Sequence, residues 1–166
     1  MRNPLASERF ERDSDVTSVK PDFVKNHEFT GCKVVLGMRS RCVRVVAAVI
    51  ARGDRFLVCK RPVHKRHGGL WEFPGGKCEP GESDFDAVQR ELWEELGVRS
   101  SSNEKPLFEI QDDASQFLIA FLSAQIEGEP QCLEHSELGW FTVRQLAQLS
   151  LAPSDRKFVE FILNTP

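Results

Sequence analysis

The feature that most constrains this 166-residue chain is a loop rich in glycine and proline that runs directly into an amphipathic helix, over residues 76–98. Ser83 suits the N-cap of that helix, with Asp86 at the reciprocal position of a capping box. Gly97 suits the left-handed residue that ends a helix. Four apolar residues recur at steps of three or four and predict one buried face: Phe85, Val88, Leu92 and Leu96.

The other face of this helix carries a cluster of carboxylates. Glu91, Glu94 and Glu95 stand at spacings i, i+3 and i+4, where like charges repel and reduce helix stability. Arg90 is the only cation within the helix, and the preceding loop adds Glu82. The cluster is therefore either a solvated acidic face or a site for a hard divalent cation with oxygen ligands.

The spacing of these residues resembles the signature of the Nudix family. Its nine specified positions are filled without a departure by Gly76, Glu82, Arg90, Glu91, Leu92, Glu94, Glu95, Gly97 and Val98. Agreement at nine positions within 23 residues is very unlikely to arise by chance. The preceding segment, residues 71–77, resembles the lead-in found in the MutT-like branch of the family.

The order of elements along the chain is strands, helix, strands, helices, which is typical of one α/β domain with a mixed sheet between helical layers. The resemblance specifies the Nudix fold, an α/β/α sandwich with a mixed β-sheet. We expect strands over 43–51, 55–60, 70–73, 105–111 and 116–126. Thr142 is expected to cap a short helix that ends near residue 149, and residues 156–163 to form the last helix.

The first 40 residues differ from the rest of the chain. Residues 1–22 are rich in Arg, Glu, Asp and Ser, and their apolar residues follow no sustained period. We therefore expect a poorly ordered N-terminal extension over residues 1–40, followed by one Nudix hydrolase domain over residues 41–166.

Composition limits the partners and the compartment. A net charge of −3 and a pI near 5.8 provide no basic footprint for a long nucleic acid. No apolar run approaches the roughly 18 residues of a membrane span. Five dispersed cysteines without a C-x-x-C pair are typical of reduced thiols, so we expect a cytoplasmic protein. We expect a monomer or a homodimer, because small members of the family often pair.

The resemblance also implies a Mg²⁺ site, for which Mn²⁺ is an alternative cation. The residues expected at the metal are Gly76, Glu82, Glu91, Glu94 and Glu95. Arg90 is expected to orient the glutamates by ion pairing and is counted among the catalytic residues.

The sequence leaves two candidates for the general base. One is Glu91, which follows the arginine of the signature. The other is Glu134, which comes after the turn over residues 127–130, since family members also use a carboxylate from a later loop. Glu134 is equally consistent with an ordinary surface residue.

Candidate substrate contacts are Arg61, Phe73, Lys77 and Asp155. Arg61 begins a basic loop over residues 61–67 and is a candidate phosphate contact. Phe73 is a candidate for stacking on a base, although aromatic residues at such positions more often belong to the core. Asp155 aligns with an Asn of relatives that act on 8-oxo-dGTP. Because an ionised Asp only accepts hydrogen bonds, it would suit the amino group of cytosine, or it caps the last helix.

The function that the resemblance implies is Mg²⁺-dependent hydrolysis of nucleoside triphosphates to the monophosphate and pyrophosphate. Removal of modified nucleotides from the pool, a form of DNA repair, follows from the same resemblance. Small nucleotides are then the expected partners. Two alternatives remain: a Nudix hydrolase of ADP-ribose or a nucleotide sugar, and a non-catalytic Nudix module that binds a nucleotide.

Overall fold

The computed structural model describes residues 42–102, 105–111 and 116–165. The extension expected over residues 1–40 lies outside these ranges. Within them the chain forms seven strands and three helices. They are β1 (Val43–Arg52), β2 (Arg55–Lys60), β3 (Trp71–Glu72), α1 (Asp84–Leu96), β4 (Arg99–Ser102), β5 (Phe108–Gln111), β6 (Phe117–Glu127), β7 (Glu137–Thr142), α2 (Val143–Leu146) and α3 (Pro153–Asn164). None of these helices is long and apolar enough to cross a membrane.

The sheet is mixed, as predicted. Its centre is the parallel pair β1 and β6, in which Val43 lies opposite Phe117 and Ile50 opposite Ala124. The other strand pairs are antiparallel: β2 pairs with β1, β3 and β7, and β6 pairs with β4 and β5.

Side chains alternate between the two faces of β1 and build two cores. Val46, Ala48 and Ile50 pack with the buried face of α1. Ala47 and Val49 pack with residues of α2 and α3. The near-continuous apolar run of β1 thus reflects burial on both faces. Helices on each side of the sheet confirm the α/β/α sandwich.

Helix α1 has the bounds that its sequence predicts. Ser83 is the N-cap and accepts a hydrogen bond from the Asp86 backbone N–H, and Gly97 ends the helix with φ +67°. The capping box is incomplete, because the Asp86 carboxylate accepts from the Ser83 hydroxyl rather than from its backbone. Phe85 is only half-buried, whereas the other three residues of the predicted apolar face are buried.

The loop before α1 is fixed to β1 by backbone hydrogen bonds. The N–H of Ala48 donates to the Pro74 carbonyl and the N–H of Val46 to the Gly76 carbonyl, both at 2.8 Å. Gly75 has φ +146°, and a Cβ at this position would lie 2.2 Å from the Val46 carbonyl oxygen. The close approach of loop and strand therefore requires glycine here.

Four elements differ from prediction, and one of them is strand β7, which was not among the expected strands. Strand β4 was not predicted, because its sequence Arg-Ser-Ser-Ser lacks apolar alternation; pairing with β6 supplies the order that propensity does not. Helix α2 has the predicted Thr142 cap but ends at Leu146 rather than near residue 149. Helix α3 begins at Pro153 and not at residue 156, and its N-cap is Ala152.

Candidate active site

Arg90 lies at the centre of the carboxylate cluster on α1. Its Nε and Nη2 donate to the two oxygens of Glu82 at 2.9 and 3.0 Å. Its Nη1 donates to Glu91 at 2.9 Å and to Glu94 at 3.3 Å. The hydrogen bonds from Arg90 hold the pKa of Glu82 below its usual range. This geometry is the one expected of a residue that orients the glutamates.

Glu91 and Gly76 pack directly against each other. A Cβ at Gly76 would lie 2.2 Å from Glu91 Oε1, so any larger residue would displace the carboxylate. Burial raises the pKa of Glu91, while the hydrogen bond from Arg90 opposes that rise. The Gly76 carbonyl already accepts from Val46, which leaves it one further lone pair.

Glu95 is the most deeply buried acid of the cluster, with 9% of its surface exposed. Its Oε2 accepts from the Gly75 backbone N–H at 2.9 Å. Burial, together with the nearby negative charges of Glu91, Glu72 and Glu134, raises its pKa well above the usual range. A buried carboxyl group with negative neighbours is typical of a functional site. Glu94, in contrast, is half exposed at the rim of the cluster.

Two residues that sequence reasoning missed extend the cluster. Glu72, on β3, receives Arg61 Nη1 on Oε1 at 2.8 Å. His135 Nε2 lies 3.2 Å from Glu72 Oε1 and 3.9 Å from Glu95 Oε1. Their order in the chain gives no signal of this contact, because Glu72 and His135 are 63 positions apart.

The same contacts place Arg61, which was predicted to bind phosphate. Its guanidinium is shared between the Glu72 carboxylate and the Arg66 carbonyl, the latter at 2.8 Å from Nε. As placed, Arg61 neutralises Glu72, and phosphate binding by Arg61 stays a prediction.

Glu134 lies near the cluster and at the edge of the basic loop. It is half exposed, and Lys65 Nζ is 3.2 Å from its Oε2. Its negative charge contributes to raising the pKa of both Glu91 and Glu95. The structure therefore brings both candidates for the general base to one site without choosing between them.

Lys77, the second predicted cationic contact, lies on the loop beside the cluster. Its side chain is exposed, with the ammonium group 5.2 Å from the centroid of the Phe117 ring. Its backbone carbonyl accepts from Arg90 Nη2 at 3.0 Å.

Asp155 and Phe73 contact each other behind the loop. Asp155 Oδ1 accepts from the Phe73 backbone N–H at 2.7 Å. The alternative that Asp155 caps α3 is wrong, because the N-cap is Ala152. The Phe73 ring is 3% exposed and packs edge-on against Phe121 and Phe158. This placement favours a structural role, since the ring would have to leave the core to stack on a base.

The donor atoms of the cluster suit a hard cation. As placed, no three His, Cys, Asp or Glu side chains of the described ranges lie close enough together to hold a metal ion. Mg²⁺ does not need such a cage, because it commonly takes one or two carboxylates and keeps several waters. Glu95 is buried and Glu91 is half-buried, and a cation bound between their carboxylates would relieve the repulsion between the two charges. The residues therefore fit a divalent metal.

A separate groove lies between α1 and the strands β4 and β6. Its lining includes Gln89 and Trp93 of α1 together with Ser100, Gln125 and Glu127. The groove has one carboxylate, so it offers little that could bind a polyphosphate with metal. The cluster around Arg90 is therefore the candidate active site.

Comparison with known proteins identifies related chains. The family model of the NUDIX domain matches residues 41–162. The chain is 36% identical over 122 residues to a CTP pyrophosphohydrolase of Escherichia coli strain K12, covering 72% of this chain and 90% of the relative. It is 33% identical over 124 residues to a putative 8-oxo-dGTP diphosphatase 2 of Mycobacterium tuberculosis, covering 73% and 88%.

Solved structures agree with this relationship. The solution structure of the E. coli ORF135 protein matches with a TM-score of 0.63 and 35% identity, covering 73% of this chain and 88% of that chain. The crystal structure of a MutT NUDIX hydrolase from Burkholderia pseudomallei matches with a TM-score of 0.62 and 31% identity, covering 71% and 95%.

The buried Asp155 predicts a pH dependence of stability. Burial raises its pKa from an ordinary 3.8 to about 7, although the bond from Phe73 opposes the rise. The folded protein thus holds this proton more tightly than the unfolded chain, so the contribution of Asp155 to stability falls as pH rises from about 4 to about 7. A rise of this size corresponds to at most about 4 kcal/mol of the free energy of unfolding.

The substitution Asp155→Asn removes the charge and keeps an oxygen that can accept from Phe73. We expect wild type and this variant to have similar free energies of unfolding at pH 4, with the variant more stable at pH 8, as measured by urea denaturation. The exposed turn variant Asp54→Asn is the control. A difference between wild type and Asp155→Asn that does not change with pH would contradict the prediction.

Proposed function

The chain belongs to the NUDIX family and is a hydrolase of pyrophosphate bonds, and we propose that it is a Mg²⁺-dependent hydrolase of nucleoside triphosphates. The products would be the nucleoside monophosphate and pyrophosphate. The observation that carries this proposal is a pair of carboxylates beside the guanidinium of Arg90: the buried Glu95 at Gly75 and the half-buried Glu91 at Gly76.

The proposed metal ligands are the carboxylates of the cluster together with the glycine loop. NUDIX hydrolases generally use divalent metal ions, and carboxylate oxygens favour Mg²⁺, with Mn²⁺ as an alternative. Ionisation of a buried acid with a raised pKa destabilises the folded protein. A bound cation would offset that cost. When bound, the metal supplies positive charge to the phosphate oxygens. The residues proposed to hold it are Gly76, Glu82, Glu91, Glu94 and Glu95.

The chain's own residues would activate the attacking water. A general base must lie within hydrogen-bond reach of the proton that it abstracts, and Glu91 lies inside the cluster against the glycine loop at Gly76. We therefore propose Glu91 as the base, with Glu134 as the second candidate because it faces the same cluster from another segment. Arg90 would keep Glu91 in place through its hydrogen bond at 2.9 Å.

Several cationic groups beside the cluster support an anionic substrate. The Lys77 carbonyl accepts from Arg90, Lys65 pairs with Glu134, and Arg61 pairs with Glu72. We propose that Lys77 and Arg61 contact the phosphates once substrate displaces part of their present contacts. The substrate would then be a small nucleotide rather than a long nucleic acid, since the net charge is −3.

A cytosine nucleotide is the proposed preferred substrate. The E. coli relative, which is 36% identical to this chain, is named a CTP pyrophosphohydrolase. Asp155 is the residue proposed to recognise the amino group of cytosine, with Phe73 holding it from the backbone. Removal of modified nucleotides from a cytoplasmic pool, by a monomer or homodimer, is the biological role we propose.

A substrate panel tests this proposal. CTP, dCTP, 5-methyl-dCTP, GTP, 8-oxo-dGTP, ADP-ribose and a nucleotide sugar would each be incubated with Mg²⁺ and with EDTA. We expect pyrophosphate release from the triphosphates with Mg²⁺ only, fastest for the cytosine members. Preference for 8-oxo-dGTP would discard the role of Asp155 and keep the reaction. Turnover of ADP-ribose alone would contradict the proposed reaction.

The double variant Glu94→Gln/Glu95→Gln tests the metal ligands. Loss of even an outer partner of a metal typically costs 10–100-fold, so the loss of two ligands should lower kcat by at least about a hundredfold. The fold should persist, because glutamine has nearly the size of glutamate and keeps an oxygen that can accept from the Gly75 N–H. Circular dichroism and the Tm would report the fold.

The matched control is Glu127→Gln/Glu160→Gln, which changes the same number of charges at exposed positions. We expect it to keep wild-type turnover. Normal turnover in the Glu94→Gln/Glu95→Gln protein would remove these residues from the metal site.

A further inference from the structure

His135 occupies an unusual position between two carboxylates. Its side chain is 5% exposed, and Nε2 lies 3.2 Å from Glu72 Oε1 and 3.9 Å from Glu95 Oε1. One of these acids comes from β3 and the other from α1. The imidazole ring therefore lies between Glu72 on β3 and Glu95 on α1.

The contacts of the ring assign its proton. Both oxygens of the Glu72 carboxylate already accept from Arg61, so Glu72 acts as an acceptor here and we assign the donor role to Nε2 of the ring. Nδ1 has no hydrogen-bond partner within the described residues. A buried polar atom without a partner costs free energy. Within the described residues, the ring therefore makes its hydrogen bond through Nε2.

The backbone holds the ring against the end of α1. The N–H of Leu133 donates to the Glu95 carbonyl at 3.0 Å, and the N–H of Gln131 donates to the Leu96 carbonyl at 2.9 Å. These bonds satisfy carbonyls that the last turn of a helix leaves free. On the other side, the N–H of Ser136 donates to the Lys60 carbonyl at 2.9 Å. The segment carrying His135 is thus fixed to both α1 and β2.

We propose that His135 is a positioning residue that holds Glu72 and Glu95 in the arrangement required for metal binding. Gly75 fixes Glu95 Oε2, and the ring limits where Oε1 can move. The ring also separates the carboxylates of Glu72 and Glu95, which repel each other when both are ionised. Metal ligands in proteins are commonly oriented by such partners, whose loss weakens metal binding. This inference rests on the proposed function, since it requires that Glu95 binds a metal.

Two substitutions separate this role from simple packing. In His135→Gln the amide nitrogen reaches about as far as Nε2, so it can still donate to Glu72. In His135→Asn the amide nitrogen reaches only about as far as Nδ1, so the bond to Glu72 is lost. Mn²⁺ would be titrated into each protein without substrate, and free Mn²⁺ measured by electron paramagnetic resonance. Thermal unfolding without metal would report packing.

We expect His135→Asn to weaken Mn²⁺ binding by at least about tenfold and His135→Gln to stay within about threefold of wild type. Equal Mn²⁺ affinity in wild type and His135→Asn would overturn the inference, and so would equal weakening in both variants. A drop in Tm shared by both variants, with unchanged affinity, would show that the ring only fills space. A wild-type protein that does not bind Mn²⁺ would overturn the proposed function as well.

Discussion

The backbone hydrogen bonds between β1 and the loop at residues 74–78 are the contact on which the site depends. Strand β2 pairs with β1 only at residues 51 and 52, and the loop bonds to the same edge of β1 at Val46 and Ala48. This places Gly75 and Gly76 against α1. Gly75 then offers its N–H to Glu95, while the missing side chain of Gly76 leaves room for Glu91. The attachment of this loop to β1 thus positions the glycines against which Glu95 and Glu91 lie.

The site concentrates carboxylates in a partly buried region, where their charges are unfavourable for folding. Glu95 and Asp155 are buried, and Glu91 and Glu72 are mostly so. Two guanidinium groups pair with these acids within the described residues. Arg90 pairs with Glu91, and Arg61 pairs with Glu72. Proteins accept such a cost at functional sites, where local rules are broken in return for chemistry. Under the proposed function, a bound cation would offset that cost here.

Local patterns predicted the local parts of this structure. The caps of α1 and the extent of β2 depend on neighbouring residues, and the structure confirms both. The parts that the sequence did not reveal depend on contacts between distant segments. Asp155 meets Phe73 across 82 positions and β4 is ordered only by β6. His135 gave no signal in the sequence, because a lone histidine beside an acidic residue is an ordinary surface pattern.

Diffraction from crystals soaked in Mn²⁺, collected at a wavelength where manganese scatters anomalously, would test the central claim most directly. The carboxylate cluster of α1 should show an anomalous peak within about 2.0–2.3 Å of an oxygen of Glu91 or Glu95. The guanidinium of Arg90 should remain in contact with Glu82. A peak confined to another part of the surface, or no peak in crystals that retain the fold, would contradict the assignment of this cluster as a metal site.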